Sequence, residues 1–139
     1  MAKDKDRGKA AQGPAKDPKA QEIHWLDDVA EHDYPAAQSY LGLLFNPEQV
    51  DRFIAGFRAA PVVRVKAKDI FRASQLSLLG VSNFHVEKDL KRIRQGESLS
   101  PVLLVRDEAH GKVVIADGYH RLCSVYLFHE DAWIPCKII

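Results

Sequence analysis

Two cysteines in 139 residues, Cys123 and Cys136, are too few for a disulfide framework, and their spacing matches no zinc motif. Six histidines include no H-x3-H pair and no His/Cys cluster, so no metal site is expected. No apolar run approaches the roughly 18–20 residues that span a bilayer, so no membrane partner is expected either. The first 21 residues lack an apolar h-region, which argues against a secretory signal there. A Walker-type G-x4-G-K-[ST] loop is also missing. These absences leave a reduced, cytoplasmic protein with no built-in metal as the expectation.

What is present is an ordinary globular balance, 46% hydrophobic and 28% charged residues, in a chain long enough for one real core. The net charge of +1 conceals an uneven distribution. Residues 22–57 carry seven acidic side chains against one basic, whereas 58–94 carry nine basic against three acidic. A local cationic excess attracts phosphate groups, although a solvated helix face with surface lysines has the same composition. The two blocks could dock on one another, within the chain or across a homodimer.

Three zones follow from the pattern. Residues 1–21 are mostly Lys, Ala, Asp, Gly, Pro and Gln with no large apolar side chain after Met1, too little to offset ordering entropy, and are expected to be a disordered tail. Residues 22–60 read as a helical extension packed on the core and available to a protein partner or a second copy. Ile23, Leu26 and Val29 or Ala30 fall at helical spacing, and Asp33-Tyr34-Pro35 starts a second helix with Ala37, Tyr40, Leu41 and Leu44 on its stripe. Asn46 and Pro47 suit the N-cap and first turn of a third helix bearing Val50, Phe53, Ile54 and Phe57, which Pro61 ends.

From residue 61 the pattern becomes mixed, and α+β with a small mixed sheet and flanking helices is predicted. Val62–Lys68 alternates like a strand, and 69–80 is a short helix or a turn-rich connection. Asn83 or Ser82 caps a helix running to Gly96. Two strands, 101–106 and 112–116, form a hairpin across Asp107–Gly111. Tyr119–Glu130 is helical with Leu122, Val125, Tyr126 and His129 as inward candidates, and 132–139 is the closing strand.

Chemistry concentrates in VVIADGYHRLCSVY, residues 113–126. A glycine where a buried strand hands over to a helix lets the backbone approach a bound group, and the helix start offers unpaired N–H donors. Arg121 in the first turn adds a planar donor fork, and His120 adds a donor or proton-transfer group. Gly118 easing a turn beneath solvated His120 and Arg121 is the plainer alternative.

The run SLSPVLLVR, KVVIADGYHRLCSVY and WIPCKII, with the helical segment before it, resembles the ParB/sulfiredoxin-like superfamily over residues 62–139. The resemblance implies that Gly118, His120 and Arg121 bind nucleotide phosphates, and that the preceding helix lends His85, Lys88 and Arg92. ATP or CTP is then the expected ligand, with Mg²⁺ as a candidate companion. Tyr119 stands where sulfiredoxins carry their catalytic cysteine, which argues against sulfinic-acid reduction; Cys123 reads as a packed residue. The sequence closes on the last expected core strand with no helix-turn-helix segment like that of centromere-binding relatives, so centromere binding in their manner is not expected.

Three functions compete. The leading expectation is a regulatory ParB-like nucleotide-binding module. A small ATP- or ADP-dependent phosphotransferase or nucleotide hydrolase is the alternative, with Asp69 or His120 moving the proton and Asp117 assisting a metal; Asp117 also suits the cap of the following helix. A third reading is DNA binding or nuclease action through 58–94, where the sequence shows neither an aromatic platform among the Lys and Arg nor a paired-carboxylate cluster.

Overall fold

The computed structural model describes residues 22–139, so the tail expected at 1–21 lies outside the described residues. The chain is a small mixed α+β domain. Its order is α1 (Asp33–Leu41), α2 (Pro47–Ala59), β1 (Val63–Lys66), α3 (Ala67–Ser74), α4 (Phe84–Arg94), β2 (Val102–Asp107), β3 (Lys112–Asp117), α5 (Tyr119–Phe128) and β4 (Trp133–Ile138), with one 3₁₀ turn at Glu108–His110.

The four strands form one sheet in the order β1-β4-β2-β3. β2 and β3 make the antiparallel hairpin, β1 pairs antiparallel with β4, and β4 joins β2 in parallel. β2 reads as an unbroken apolar run because helices cover both of its faces. Val102 and Leu104 point to one side, against Ile70, Ile93, Leu122 and Val125 of α3, α4 and α5. Leu103 and Val105 point to the other, against Tyr34, Ala37, Leu41, Val50 and Phe57 of α1 and α2. A third cluster, Val86, Leu90 and Cys123, seals α4 to α5.

Local chemistry explains the ends of these elements. The Asn46 carboxamide oxygen accepts from the Gln49 N–H at 2.9 Å, and Pro47 occupies the first turn, as expected for α2. Asn83 accepts from the N–H groups of His85 and Val86 and starts α4. Gly96, at φ +77°, closes it. The β2–β3 register shifts between Leu103 and Leu104, and Asp117 faces Leu103 where the sheet ends.

Several expectations are corrected. Residues 23–30 are not helical: Trp25 bridges Leu99 in parallel, Leu26 N–H donates to the Leu99 carbonyl at 2.8 Å, and Leu99 N–H to the His24 carbonyl at 2.9 Å. Ile23 and Trp25 pack on the core while Leu26 is 40% exposed, a period of two that the helical spacing concealed. In α1, Tyr34, Ala37 and Leu41 are buried and Tyr40 faces outward, while Leu44 lies beyond the end of the helix and is exposed. His129 is exposed, because α5 stops at Phe128. Within the chain, the acidic block does not dock broadly on the basic one. Asp28 pairs with Lys137 at 3.1 Å, Asp33 with Arg121 at 3.3 Å, and of these contacts only Glu31–Arg58, at 2.6 Å, reaches residues 58–94.

Candidate functional site

Where β3 ends, the chain turns through Gly118 at φ +109°, ψ 14°, and α5 begins with no side chain capping it. Its first N–H groups have no carbonyl one turn earlier to bond, and the Leu122 N–H, bonded to the Gly118 carbonyl at 2.9 Å, opens the helical ladder. A Cβ at Gly118 would lie 2.9 Å from Val102 Cγ2 and 3.0 Å from Arg121 Nη2. Glycine is therefore required here both by the backbone angle and by the close approach.

A cleft of about 190 Å³ opens at this helix start, between α5 and α4. From the turn it is lined by Asp117, Gly118, Tyr119, His120 and Arg121, and from α4 by His85, Lys88, Asp89 and Arg92. The structure thus brings together seven of the eight residues singled out in the sequence. The two helices are fixed to one another by Ser124, which is fully buried; its hydroxyl donates to the Val86 carbonyl at 2.8 Å and also lies 2.9 Å from the His120 carbonyl.

Asp69 is the exception. It sits in the first turn of α3, exposed, 3.5 Å from Arg72, and does not line the cleft. Asp117 is also not a helix cap: its carboxylate faces Arg121 Nη2 at 3.2 Å, one helical turn on. Arg121 is not a free fork, since Nη2 also reaches Asp33 at 3.3 Å and the Pro101 carbonyl at 3.4 Å. Its Nε is buried with no partner among the described residues. The arginine thereby ties the cleft to α1.

Electrostatics divide the cleft. Burial pushes the Asp117 carboxyl above its ordinary value, Arg121 pulls it back, and Asp33 adds to the rise. His120 is pushed below its ordinary value, first by burial and then by the nearby His85, with Asp89 opposing. At neutral pH His120 is therefore largely uncharged and able to gain a proton when an anion arrives. Arg92 is shared between Asp89 at 3.3 Å and Glu97 at 3.4 Å. Lys88 is exposed and has no ion-pair partner among the described residues. Cys123 is buried; the Leu79 N–H reaches its sulfur at 3.5 Å, and burial raises the thiol. The Tyr119 hydroxyl donates to the Ser77 carbonyl, holding the 75–83 connection over the turn.

No family model, curated protein or solved structure matches the chain. The site therefore stands on its geometry.

Asp89, Tyr119 and Asp33 were not singled out in the sequence as site residues. Asp89 could have been found, since 85, 89 and 92 repeat at four and three on one helix face. Asp33 carries no local signal: its partner is 88 residues away. Among the described residues no group of three or more His, Cys, Asp or Glu side chains is arranged to hold a metal ion. No described helix is long and apolar enough to cross a membrane.

Proposed function

We propose that this protein is a nucleotide-binding module that takes the phosphates of its ligand in the cleft between α4 and the start of α5. The observation that carries the reading is the convergence of Lys88, Arg92, His85 and His120 around an uncapped helix N-terminus. The fold is read as ParB/sulfiredoxin-like, a reading supported by the Gly-Tyr-His-Arg turn at the handover from β3 to α5. A cytoplasmic setting suits its two buried, free cysteines.

Binding is favoured over phosphotransfer. Asp69 is remote from the cleft, and Asp117 and Asp89 are each engaged by an arginine. Neither is left as an open metal ligand, so a Mg²⁺ ion would arrive on the triphosphate. The apolar sides of α1 and α2 are used on the chain's own sheet, which leaves Leu26, Tyr40, Leu43 and Leu44 as the exposed large apolar side chains of residues 22–60 for self-association.

A thermal-shift panel of ATP, ADP, CTP, GTP and inorganic phosphate, with and without Mg²⁺, tests the reading. At a ligand concentration about 100-fold above Kd, linkage gives roughly 2.7 kcal/mol of stabilisation, a rise of several degrees. Lys88→Glu is the informative variant, because Lys88 is exposed, whereas Arg121→Ala would also release Asp33 and Asp117. A shift present in the wild type and lost in Lys88→Glu supports the cleft. No shift with any of the five ligands refutes it.

A further inference from the structure

A row of four rings runs along the rim of the cleft. Phe84 and His85 lie 5.5 Å apart between centroids, edge to face. His85 and His120 are 4.9 Å apart, and His120 and Tyr119 5.6 Å. The inner three line the cleft, and Phe84 extends the row outward. Phe84 is also 69% exposed at the first position of α4 and belongs to none of the three apolar clusters. Asn83 fixes that position through its bonds to the His85 and Val86 N–H groups. An aromatic ring held on a capped helix start, open on its outer side and joined by rings to a cationic cleft, has a surface that an aromatic ligand covers at low entropic cost.

We infer that Phe84 is the stacking platform for the base of the nucleotide, with His85 beside it, and that it separates nucleotides from inorganic polyphosphates. This rests on the phosphate-binding reading of the cleft. Two ring-to-ring steps, 5.5 and 4.9 Å, separate Phe84 from His120, a reach that a base, its ribose and the first phosphate cover. The cleft, at about 190 Å³, holds phosphates and leaves the base at the rim where Phe84 stands. No aromatic platform was visible among the basic residues of 58–94 in the sequence, because Phe84 acquires that role only when α5 brings His120 beside His85.

Calorimetric titration of ATP, CTP and inorganic tripolyphosphate into the full chain, at one salt concentration, separates the two layers of the reading. At least one nucleotide is expected to bind about tenfold or more tighter than tripolyphosphate, the scale of one base stacked on an aromatic ring. Phe84→Ala should reduce that nucleotide to the affinity of tripolyphosphate while leaving tripolyphosphate unchanged, and Phe84→Trp should keep the preference. Equal wild-type affinities for nucleotides and tripolyphosphate, or a preference that survives Phe84→Ala, would overturn the platform and leave the phosphate cleft standing. If none of the three binds, the cleft reading falls with it. A single-stranded oligonucleotide that binds far more tightly than any mononucleotide, and loses that affinity in Phe84→Ala, would reassign the platform to nucleic acid and overturn the mononucleotide assignment.

Discussion

Alanine at Gly118 is expected to destabilise the domain by about 2–6 kcal/mol, from two sources that can be measured apart. The first is the backbone, held at φ +109°, where an L side chain is strained by about 1–3 kcal/mol. The second is overlap: the new Cβ would sit 2.9 Å and 3.2 Å from the two methyls of Val102, a side chain with no exposed surface and nowhere to retreat. Overpacking of that kind adds about 1–3 kcal/mol. Gly111 provides the control, because it also has a positive φ, +64°, but open space where the Cβ would go. Gly111→Ala should therefore cost only about 1 kcal/mol. Urea denaturation followed by circular dichroism gives both values. Adding Val102→Ala to Gly118→Ala should recover part of the loss, so that the double variant is more stable than the two single costs combined predict. Gly118→Ala proving no worse than Gly111→Ala, or strictly additive with Val102→Ala, would refute the close approach on which the shape of the cleft depends.

The His120 ring should titrate below the ordinary histidine value of 6.5 in a proton NMR titration, and His85→Gln should move its midpoint part of the way back. Because its folded pKa is depressed, His120 contributes stability that is present above 6.5 and lost as the pH falls through the folded value; a midpoint at or above 6.5 would contradict the burial described. Both thiols should resist an aromatic disulfide reagent at neutral pH until urea unfolds the chain, since Cys123 and Cys136 have no exposed surface and burial pushes Cys136 up to about 11. Rapid labelling of either in the folded protein would show that the packing is wrong.

The sequence made α2, α4, α5 and the β2–β3 hairpin legible because their signals are local: Asn46 and Asn83 as caps, Gly96 and Gly111 as stops, and the apolar period between them. It misled over residues 23–30, where Ile23, Leu26 and Val29 fit a helix but the backbone is claimed by Leu99, a residue more than 70 positions away. At the site, the face of α4 and the turn before α5 were readable as separate motifs, and their meeting came only through the family resemblance. The restraint on Arg121 was unreadable. Asp117 lies one helical turn from it, but Asp33 and the Pro101 carbonyl arrive through the fold, converting an expected open fork into a clamp on α1.

That clamp bears on the order in which the chain can assemble. Three of the contacts that hold the segment 28–41 in place reach far ahead in sequence: Ala30 N–H to Ser100 Oγ across 70 residues, Arg121 to Asp33 across 88, and Lys137 to the Tyr34 hydroxyl across 103. Loop closure over such distances is slow, and a growing chain presents its early residues first. Tyr34, Ala37 and Leu41 therefore leave the ribosome long before β2, α5 and β4 exist to cover them, and the cleft acquires its anchored arginine only after Arg121 has been made. Until β2 and β3 have been made, the apolar side of α1 has only α2, the helix that follows it directly, to pack against.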